Sequence, residues 1–294
     1  MIRLTFFLVL ISMTSASVAQ SEIHPHHSAL IDAYEREESP ATRAILAANI
    51  DRWRRLNGNF DGRYLIVNAA AFDVTLWDGY RVIQRWPVIV GTTRTPTPEF
   101  SATVSGVILN PWWEIPSSIA AEGIASMVRN NPRRAAQRGY VYQNGRYRQR
   151  PGPGNALGRM KLIMPNPHSV FLHDTSNRSL FEREARALSH GCVRVGDALD
   201  FVTALASVDP AWNRERVDSI VQSGRTRTVS LDQPIQVYVS YFTAVPRSDE
   251  TIEFYPDIYR RDVARIQSPE RLAAARFDRD DPFCQYSDQD TIEG

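Results

Sequence analysis

A thiol, two imidazoles and a guanidinium lie close together in the second half of the chain. Cys192 follows His190 by two residues with Gly191 between them, and Arg194 comes two residues later. Glycine allows the backbone to turn tightly and leaves amide N–H groups free to face a ligand. A neighbouring arginine and imidazole lower the pKa of a thiol, which is what a cysteine nucleophile requires. His173 ends an apolar run upstream, so its ring is predicted to emerge at a sheet edge, where it can act as a base.

Other interpretations of Cys192 stay open at this point. It can be a buried structural thiol, or it can pair with Cys284, the only other cysteine, in a disulfide that an oxidising compartment permits. A metal site made of His173, His190 and Cys192 has suitable ligand types. However, the sequence has no clear fourth ligand and no spacing like that of the HExxH zinc motif. The pattern therefore favours a nucleophile, and no metal is expected.

Most of the elements that must position these residues are predicted to be strands. From His27 to about Leu56 the apolar spacing is helical, with an interruption at Ser39-Pro40. Beyond residue 63 the pattern is that of strands, with Asp78-Gly79 as a hairpin turn. Helical spacing returns at 198–205 and 211–222. The predicted class is therefore mainly β with helices (α+β). The predicted strands are 64–67, 72–77, 81–90, 104–109, 160–164, 170–172 and 235–242.

The two ends of the chain are predicted to lie outside the body that holds the chemistry. Residues 1–19 combine a basic start, an apolar run and small residues before Gln20, which is typical of a cleaved signal peptide. A membrane anchor is the alternative, but the apolar run is shorter than the roughly 20 residues of a spanning helix. We expect export and no stable membrane span. The predicted organisation continues with a helical stub at 20–60, a catalytic domain at 61–264, and a C-terminal helix with a loose tail at 265–294.

One segment of the predicted β body is rich in arginine. Residues 112–152 combine a predicted helix, Ile115 to Val128, with a series of arginines and interleaved tyrosines. No Asp or Glu occurs between Glu122 and Asp174. One interpretation is a solvated insertion whose charge is incidental. The other is a lid insertion that folds over the groove leading to the thiol and holds an anionic ligand, since arginine grips a carboxylate with two parallel hydrogen bonds.

Composition restricts the class of partner. The 34 Lys+Arg nearly cancel the 33 Asp+Glu, for a formal net charge of +1, so no bulk positive field indicates a nucleic acid. The positive charges are almost all arginine, and Lys161 is the single lysine. Two cysteines exclude a disulfide-rich scaffold and a zinc site of four thiolates.

The spacing of the reactive residues resembles a known family signature. His173-Asp174-Thr175, followed after a short gap by Ser189-His190-Gly191-Cys192-Val193-Arg194, is similar to the signature of L,D-transpeptidases with the YkuD-type catalytic domain. Further stretches resemble the large Gram-negative, YcbB-like branch, from about Asn49 to Arg260. The chain departs from that branch in its short N-terminal stub, in place of a long region with a glycan-binding module, and in a shorter lid. The further stretches are Pro96-Thr97-Pro98-Glu99-Phe100, Asn110-Pro111-Trp112-Trp113-Glu114-Ile115-Pro116, Pro151-Gly152-Pro153-Gly154-Asn155-Ala156-Leu157-Gly158 and Arg186-Ala187-Leu188.

The resemblance implies a fold and a reaction. The fold would be a YkuD-like β-sandwich or partial barrel with a helical, Arg-rich lid insertion. The enzyme would attack the bond between the L-centre of meso-diaminopimelate and the terminal D-alanine of a peptidoglycan tetrapeptide stem. D-Alanine leaves, a thioester forms, and an amine of a second stem takes the acyl group to give a 3→3 cross-link. The implied partners are donor and acceptor stem peptides, with carbapenem β-lactams as covalent inhibitors, no cofactor, and the periplasm as the location.

The resemblance also implies a role for each reactive residue. Cys192 would be the nucleophile, and His173 the base that takes its proton and later protonates the leaving amine. The backbone near Asp174 would orient the imidazole, with His190 in a supporting position. The backbone amides of Gly191 and Cys192 would form an oxyanion hole, at about 3 kcal/mol per donor. Substrate contacts are expected from Arg194, Ser189, Phe171 and Asn155.

Three rival functions are compatible with parts of the same sequence. The acylation step can end with water or a free D-amino acid, which makes a carboxypeptidase or an exchange enzyme, and the sequence does not separate these outcomes. A non-catalytic wall-binding protein is the second rival, and the intact His173 and Cys192 pair argues against it. The third is an exported nucleic-acid binder that uses the arginine and tyrosine segment, which the near-zero net charge disfavours.

Overall fold

The computed structural model describes residues 23–56, 58 and 60–262. The predicted signal peptide, the predicted C-terminal helix and tail, and Cys284 lie outside the described residues. Within the described part of the chain, no helix is both long enough and apolar enough to cross a bilayer.

Strands form the body of the molecule, and each predicted strand is present. Most ends differ from the prediction by one to four residues, but the strand predicted at 235–242 begins eight residues earlier, at Arg227. Short strands also occur where none was predicted, because edge pairings of two to four residues have little sequence pattern of their own. The strands are β1 (Arg63–Asn68), β2 (Asp73–Asp78), β3 (Arg81–Gly91), β4 (Phe100–Leu109), β5 (Trp113–Glu114), β6 (Tyr140–Gln143), β7 (Arg146–Gln149), β8 (Met160–Ile163), β9 (Leu172–His173), β10 (Ala187–Ser189), β11 (Val193–Val195), β12 (Arg227–Ser240), β13 (Ala244–Pro246) and β14 (Ile252–Phe254).

Nine of these strands form one sheet that closes on itself. The order is β10-β3-β11-β9-β8-β4-β12-β1-β2, and β2 pairs in turn with β3. The long β3 closes the ring, because its first half pairs with β2 and its second half with β11 and β10. The inward faces enclose a core to which Leu65, Val104 and Val237, all 0% exposed, belong. The predicted α+β class is confirmed.

Helices contribute residues to both buried clusters of the molecule. The first two pack on the outer faces of β1 and β2 and bury a second cluster around Leu46 and Trp53. Proline at the first turn and a Ser39 side chain that accepts the Thr42 N–H begin the second of them. Together the first two helices form a layer over β1 and β2. The helices are α1 (Pro25–Arg36), α2 (Pro40–Arg55), α3 (Ser117–Ile119), α4 (Ala125–Asn130), α5 (Pro132–Gln137), α6 (Ala198–Ala206) and α7 (Arg214–Gln222).

The arginine-rich insertion differs from its prediction in two respects. Its helical part extends past residue 128 to the end of α5 and is broken by a π-helical turn, Ala120–Ile124, where Gly123 has a φ of 136°. The following residues form a hairpin of β6 and β7 that also pairs with β5. Asn144-Gly145, both at positive φ, supplies the turn. Tyrosine and valine residues on either side of a two-residue turn predict a hairpin. This hairpin was not predicted, because the segment was interpreted from its charge pattern.

Candidate active site

Cys192 lies in a tight loop between two strands of the ring. Ser189 ends β10, Gly191 has a φ of 114°, and Val193 begins β11. A side chain is strained at that φ, so glycine is required for the turn. The Ser189 hydroxyl holds the loop together, because it accepts the Gly191 N–H at 3.0 Å and donates to the Cys192 carbonyl at 2.6 Å.

These two hydrogen bonds determine which backbone N–H groups of the loop can face a ligand. The Gly191 N–H, which was expected to serve as an oxyanion-hole donor, points inward to Ser189 in this structure. Ser189 is 3% exposed, and its hydroxyl both accepts and donates a hydrogen bond within the loop. It therefore positions the backbone and does not make the substrate contact that was expected of it. Of the two backbone N–H groups predicted to form the oxyanion hole, that of Cys192 remains the candidate donor.

Three threonines support the loop from the segment that follows β3. The Thr97 hydroxyl accepts the Gly91 N–H at 2.9 Å and donates to the Gly191 carbonyl at 2.8 Å. The Ser189 carbonyl accepts from the Thr92 N–H at 2.9 Å and the Thr95 hydroxyl at 3.3 Å. Sequence analysis missed this role, although the run of threonines directly after a predicted strand is a signal for side-chain hydrogen bonds to backbone.

His173 is held as a neutral ring with a defined tautomer. Its Nδ1 lies 2.5 Å from the Asp174 carbonyl oxygen, and since a carbonyl can only accept, Nδ1 carries the proton and Nε2 carries the lone pair. Burial lowers the pKa of His173 to about 3, helped by the positive charges of Arg194 and Lys161 and opposed by the carbonyls of Asp174 and Leu157. At neutral pH the ring is therefore uncharged, with its lone pair on Nε2.

The Asp174 side chain does not contact that ring and serves a different purpose. One carboxylate oxygen accepts the Arg159 N–H at 2.9 Å, Arg159 Nε at 3.2 Å and an Arg178 N–H at 3.1 Å. Gly158, at a φ of 64°, passes so close that a Cβ there would lie 2.4 Å from the Asp174 Cγ. These contacts fix the backbone at Asp174, and the backbone carbonyl in turn fixes the imidazole.

Strand register places His173 and Arg194 on one face of the sheet, called the reacting face below. Leu172 and Val193 are paired and face the core at 0% exposure, so His173 and Arg194 point to the opposite face. His173 pairs directly with Arg194 across parallel strands. The Phe171 ring lies 5.4 Å from the His173 ring, and Cys192 is 7% exposed. This face brings the predicted base and cation together, and Cys192 directly precedes the strand that carries Arg194.

Cys192 is disulfide-bonded in this structure. The predicted nucleophile is therefore in an oxidised form here. Cys284, the only other cysteine of the chain, lies outside the described residues. Nucleophilic chemistry at Cys192 requires that this disulfide first be reduced, since the thiolate is the attacking species.

Two of the predicted site residues lie away from the reacting face. The His190 side chain is half exposed, and its Nε2 lies 3.9 Å from Glu122, so it connects the loop to the insertion. Asn155 is 1% exposed, and its amide donates to the carbonyls of Pro111 and Arg150 while its oxygen accepts the Leu157 N–H. Its hydrogen-bonding capacity is used inside the protein, so the expected substrate contact at Asn155 is not supported.

The alternative of a metal site was considered for His173, His190 and Cys192. No group of three or more His, Cys, Asp or Glu side chains there is arranged to hold an ion. The triad of His173, His190 and Cys192 is not brought together as a ligand set, because the exposed His190 ring faces Glu122.

Residues 62–218 match the family model of the YkuD L,D-transpeptidase catalytic domain, which is just over half of the chain. Over 237 residues the chain is 28% identical to a Haemophilus influenzae protein named "Putative L,D-transpeptidase", a match that covers 74% of this chain and 48% of that protein. The chain therefore spans about half the length of this curated relative.

Solved structures with similar folds are more distant. L,D-transpeptidase 1 of Mycobacterium tuberculosis is 12% identical with a TM-score of 0.27, over 61% of this chain and 62% of that one. L,D-transpeptidase 3 of the same organism, in complex with a faropenem-derived adduct, is 12% identical with a TM-score of 0.30, over 61% and 60% of the two chains. At such low TM-scores these likenesses carry no argument about individual residues.

Proposed function

Because the chain belongs to the YkuD family of L,D-transpeptidase catalytic domains, we propose that it is a periplasmic peptidoglycan L,D-transpeptidase of the YcbB-like branch. Its donor would be a tetrapeptide stem, and its product a 3→3 cross-link. The observation that carries the proposal is the tautomer of His173. A buried neutral imidazole with its proton held on Nδ1 by the Asp174 carbonyl keeps its lone pair on Nε2, and its strand β9 pairs with β11, which begins directly after Cys192.

The first half-reaction forms a thioester. Nε2 of His173 takes the Cys192 proton as the sulfur attacks the carbonyl carbon on the L-centre of meso-diaminopimelate. The Cys192 N–H stabilises the oxyanion that develops on the carbonyl oxygen. The bond between that carbon and the D-alanine nitrogen then breaks, and the departing nitrogen takes the proton from Nε2. Free D-alanine leaves, and the stem remains bound to Cys192.

The second half-reaction uses the same groups in reverse. An amine of a second stem attacks the thioester carbon and gives its proton to Nε2 of His173, which returns the proton to the Cys192 sulfur as the thioester breaks. A single imidazole serves both halves because each half-reaction ends with Nε2 giving its proton away, and burial, which lowers the pKa of His173, favours the neutral ring between them.

Two cationic regions suit the carboxylates of peptidoglycan stems. Arg194 lies beside His173 on the reacting face. The insertion adds the exposed arginines Arg133, Arg134 and Arg138 on α5 and the turn that follows it. The contact between Glu122 and His190 joins the insertion to the loop that carries Cys192. We propose that the insertion acts as a lid for the acyl donor or acceptor.

The nucleophile is tested by acylation with a carbapenem, in wild type, Cys192→Ala and Cys284→Ser, with and without a reductant. Relatives with β-lactam-derived adducts are known. Reduced wild type should gain the mass of one drug molecule, and Cys192→Ala should gain none. Because the sequence has only two cysteines, Cys284→Ser leaves Cys192 no partner within the chain and should react without a reductant. A drug adduct on Cys192→Ala would exclude Cys192 as the nucleophile.

A further inference from the structure

A tyrosine near the end of the described residues reaches back to the support of the Cys192 loop. Tyr259 follows β14 and lies outside the range 62–218 that matches the family model. Its hydroxyl donates to the Gly91 carbonyl at 2.5 Å and accepts the Thr97 N–H at 3.5 Å. The mechanism proposed above assigns no role to this side chain.

Gly91 and Thr97 are the points at which the end of β3 and the segment after it meet that loop. The Thr97 hydroxyl donates to the Gly191 carbonyl at 2.8 Å. A Cβ at Gly91 would lie 3.0 Å from the Gly191 Cα and 2.0 Å from the Thr95 carbonyl oxygen, so the backbones are in direct contact there. Because close-packed groups transmit displacements, a shift of Gly91 or Thr97 would move the loop.

Arg261 holds the same segment through its guanidinium. One nitrogen donates to the Thr97 carbonyl at 2.7 Å, and another lies 3.5 Å from a Glu99 carboxylate oxygen. The guanidinium also lies over the Tyr259 ring, 4.8 Å from its centre. The side chain is 14% exposed, and a guanidinium has its donors in a fixed planar arrangement. Arg261 therefore orients the Tyr259 ring and the Thr97 backbone together.

Two further contacts fix this last part of the described residues against the body of the protein. Arg52 of α2, with a side chain 0% exposed, forms an ion pair with Asp262 at 2.6 Å and lies 3.9 Å from Glu99. The Tyr241 hydroxyl accepts the Tyr259 N–H at 2.9 Å, and the two rings stack with centres 5.1 Å apart. Separating a buried ion pair leaves an unpaired charge, which is costly, so these residues keep one arrangement.

The position of the Cys192 loop matters for the first half-reaction. The sulfur must reach the substrate carbonyl carbon, and the backbone N–H must reach the developing oxyanion. A displacement of about 1 Å at such groups can cost about 10²-fold in rate. We propose, on the basis of the function proposed above, that Tyr259 and Arg261 are positioning residues for Cys192. They fix the end of β3 and the segment after it, and these contact the loop at Gly191.

Acylation of the reduced full-length chain by a carbapenem tests this role in Tyr259→Phe, with Tyr255→Phe as the matched control. Both variants lose one tyrosine hydroxyl from the segment after β14, but that of Tyr255 donates to Glu253 at 2.5 Å. Rates over a range of drug concentrations give a saturated rate constant and a half-saturating concentration. Tyr259→Phe should lower the saturated rate constant by about tenfold, the equivalent of one hydrogen bond, and keep the half-saturating concentration. Tyr255→Phe should change neither.

Arginine variants test the same role by a second route. Arg261→Met should lower the saturated rate constant by about tenfold, for the same reason. Arg261→Lys should recover part of the loss, because an ammonium group can still donate to the Thr97 carbonyl. These two variants carry the test if Tyr259→Phe fails to fold. A role in stability alone would lower the reacting fraction or the melting temperature and leave the rate constant of the reacting fraction unchanged.

The outcomes separate this role from the proposed function. Reduced wild type that forms no adduct would contradict the nucleophile proposed above. The wild-type saturated rate constant in both Tyr259→Phe and Arg261→Met would keep that nucleophile and overturn the positioning role. An equal loss in Tyr255→Phe, or a change confined to the half-saturating concentration, would also overturn it, because the effect would then not come from the position of the loop.

Discussion

Two buried histidines on different sides of the molecule share a low pKa and differ in nearly everything else. His173 lies on the reacting face, and burial is the main reason that its pKa falls to about 3. His24 lies under α1 and α2, where burial also lowers its pKa to about 3. It stacks on Trp53 with ring centres 4.3 Å apart and is 3% exposed. A low pKa alone would not distinguish the proposed base from a structural histidine.

The hydrogen bonds of the two rings do distinguish them. His24 Nδ1 accepts the His26 N–H at 3.1 Å, so its proton is on Nε2, which donates to the Tyr64 hydroxyl at 3.0 Å. His173 has the opposite tautomer, with Nδ1 donating to Asp174 and two cations beside the ring. Both nitrogens of His24 are used for capping and packing, while His173 retains a lone pair on the reacting face. Chemistry follows from the tautomer and the neighbours.

The largest expected effect comes from removing each imidazole in turn. His173→Gln should reduce carbapenem acylation of the reduced protein by about 10²–10⁴-fold, the usual contribution of a general base. His24→Gln should leave the acylation rate unchanged and lower the melting temperature, because it removes an aromatic contact and a helix cap. His190→Ala should cost less than His173→Gln, since its ring is half exposed. A greater loss in His190→Ala would reverse the two assignments.

A smaller effect is expected from the support of the Cys192 loop. Thr97→Val keeps the shape of the side chain and removes the hydroxyl that joins Gly91 to Gly191. We expect acylation to slow by about tenfold, the equivalent of one hydrogen bond, with recovery in Thr97→Ser. Thr103→Val removes an exposed cross-strand hydroxyl contact to Gln236 and serves as the matched control. Acylation at the wild-type rate in Thr97→Val would mean that the loop holds its shape without this hydroxyl.

The smallest effect concerns stability and pH. The pKa of His24 in the folded state, about 3, is below its ordinary value of 6.5, so the unfolded chain binds the proton more readily between these values. Its contribution to stability is therefore complete above pH 6.5 and is lost as pH falls toward 3, by up to about 2 kcal/mol at pH 5. His26, with a pKa lowered by burial to about 4, acts in the same direction.

Asp73 opposes this trend, because burial raises its pKa to about 6 and its contribution is lost as pH rises through that value. Urea unfolding at pH 7.5 and pH 5 measures the balance. His24→Gln should lose less stability than wild type between these two conditions. An equal loss in both proteins would place the titrating group elsewhere.

The amino-acid sequence by itself determined the strands of the body, the helical N-terminal region and the packet around Cys192. These features depend on local patterns, such as apolar alternation and a glycine between a histidine and a cysteine. It also indicated that His173 ends a strand, which the structure places at the end of β9. The sequence did not indicate three other features: the hairpin of the insertion, the layer around His24 and the inward direction of the Gly191 N–H.

Only the tertiary structure decided how these parts act together. The row of Lys161, His173 and Arg194 exists because three short strands pair in one register, and a shift by one residue would turn each side chain to the other face. The hydrogen bond from Thr97 to Gly191 joins residues far apart in the chain. The tautomer of His173 depends on a carbonyl whose position is fixed by Asp174 against Arg159 and Arg178. The row of side chains, the hydrogen bond and the tautomer all depend on pairing between residues far apart in the chain. No local sequence pattern encodes that pairing.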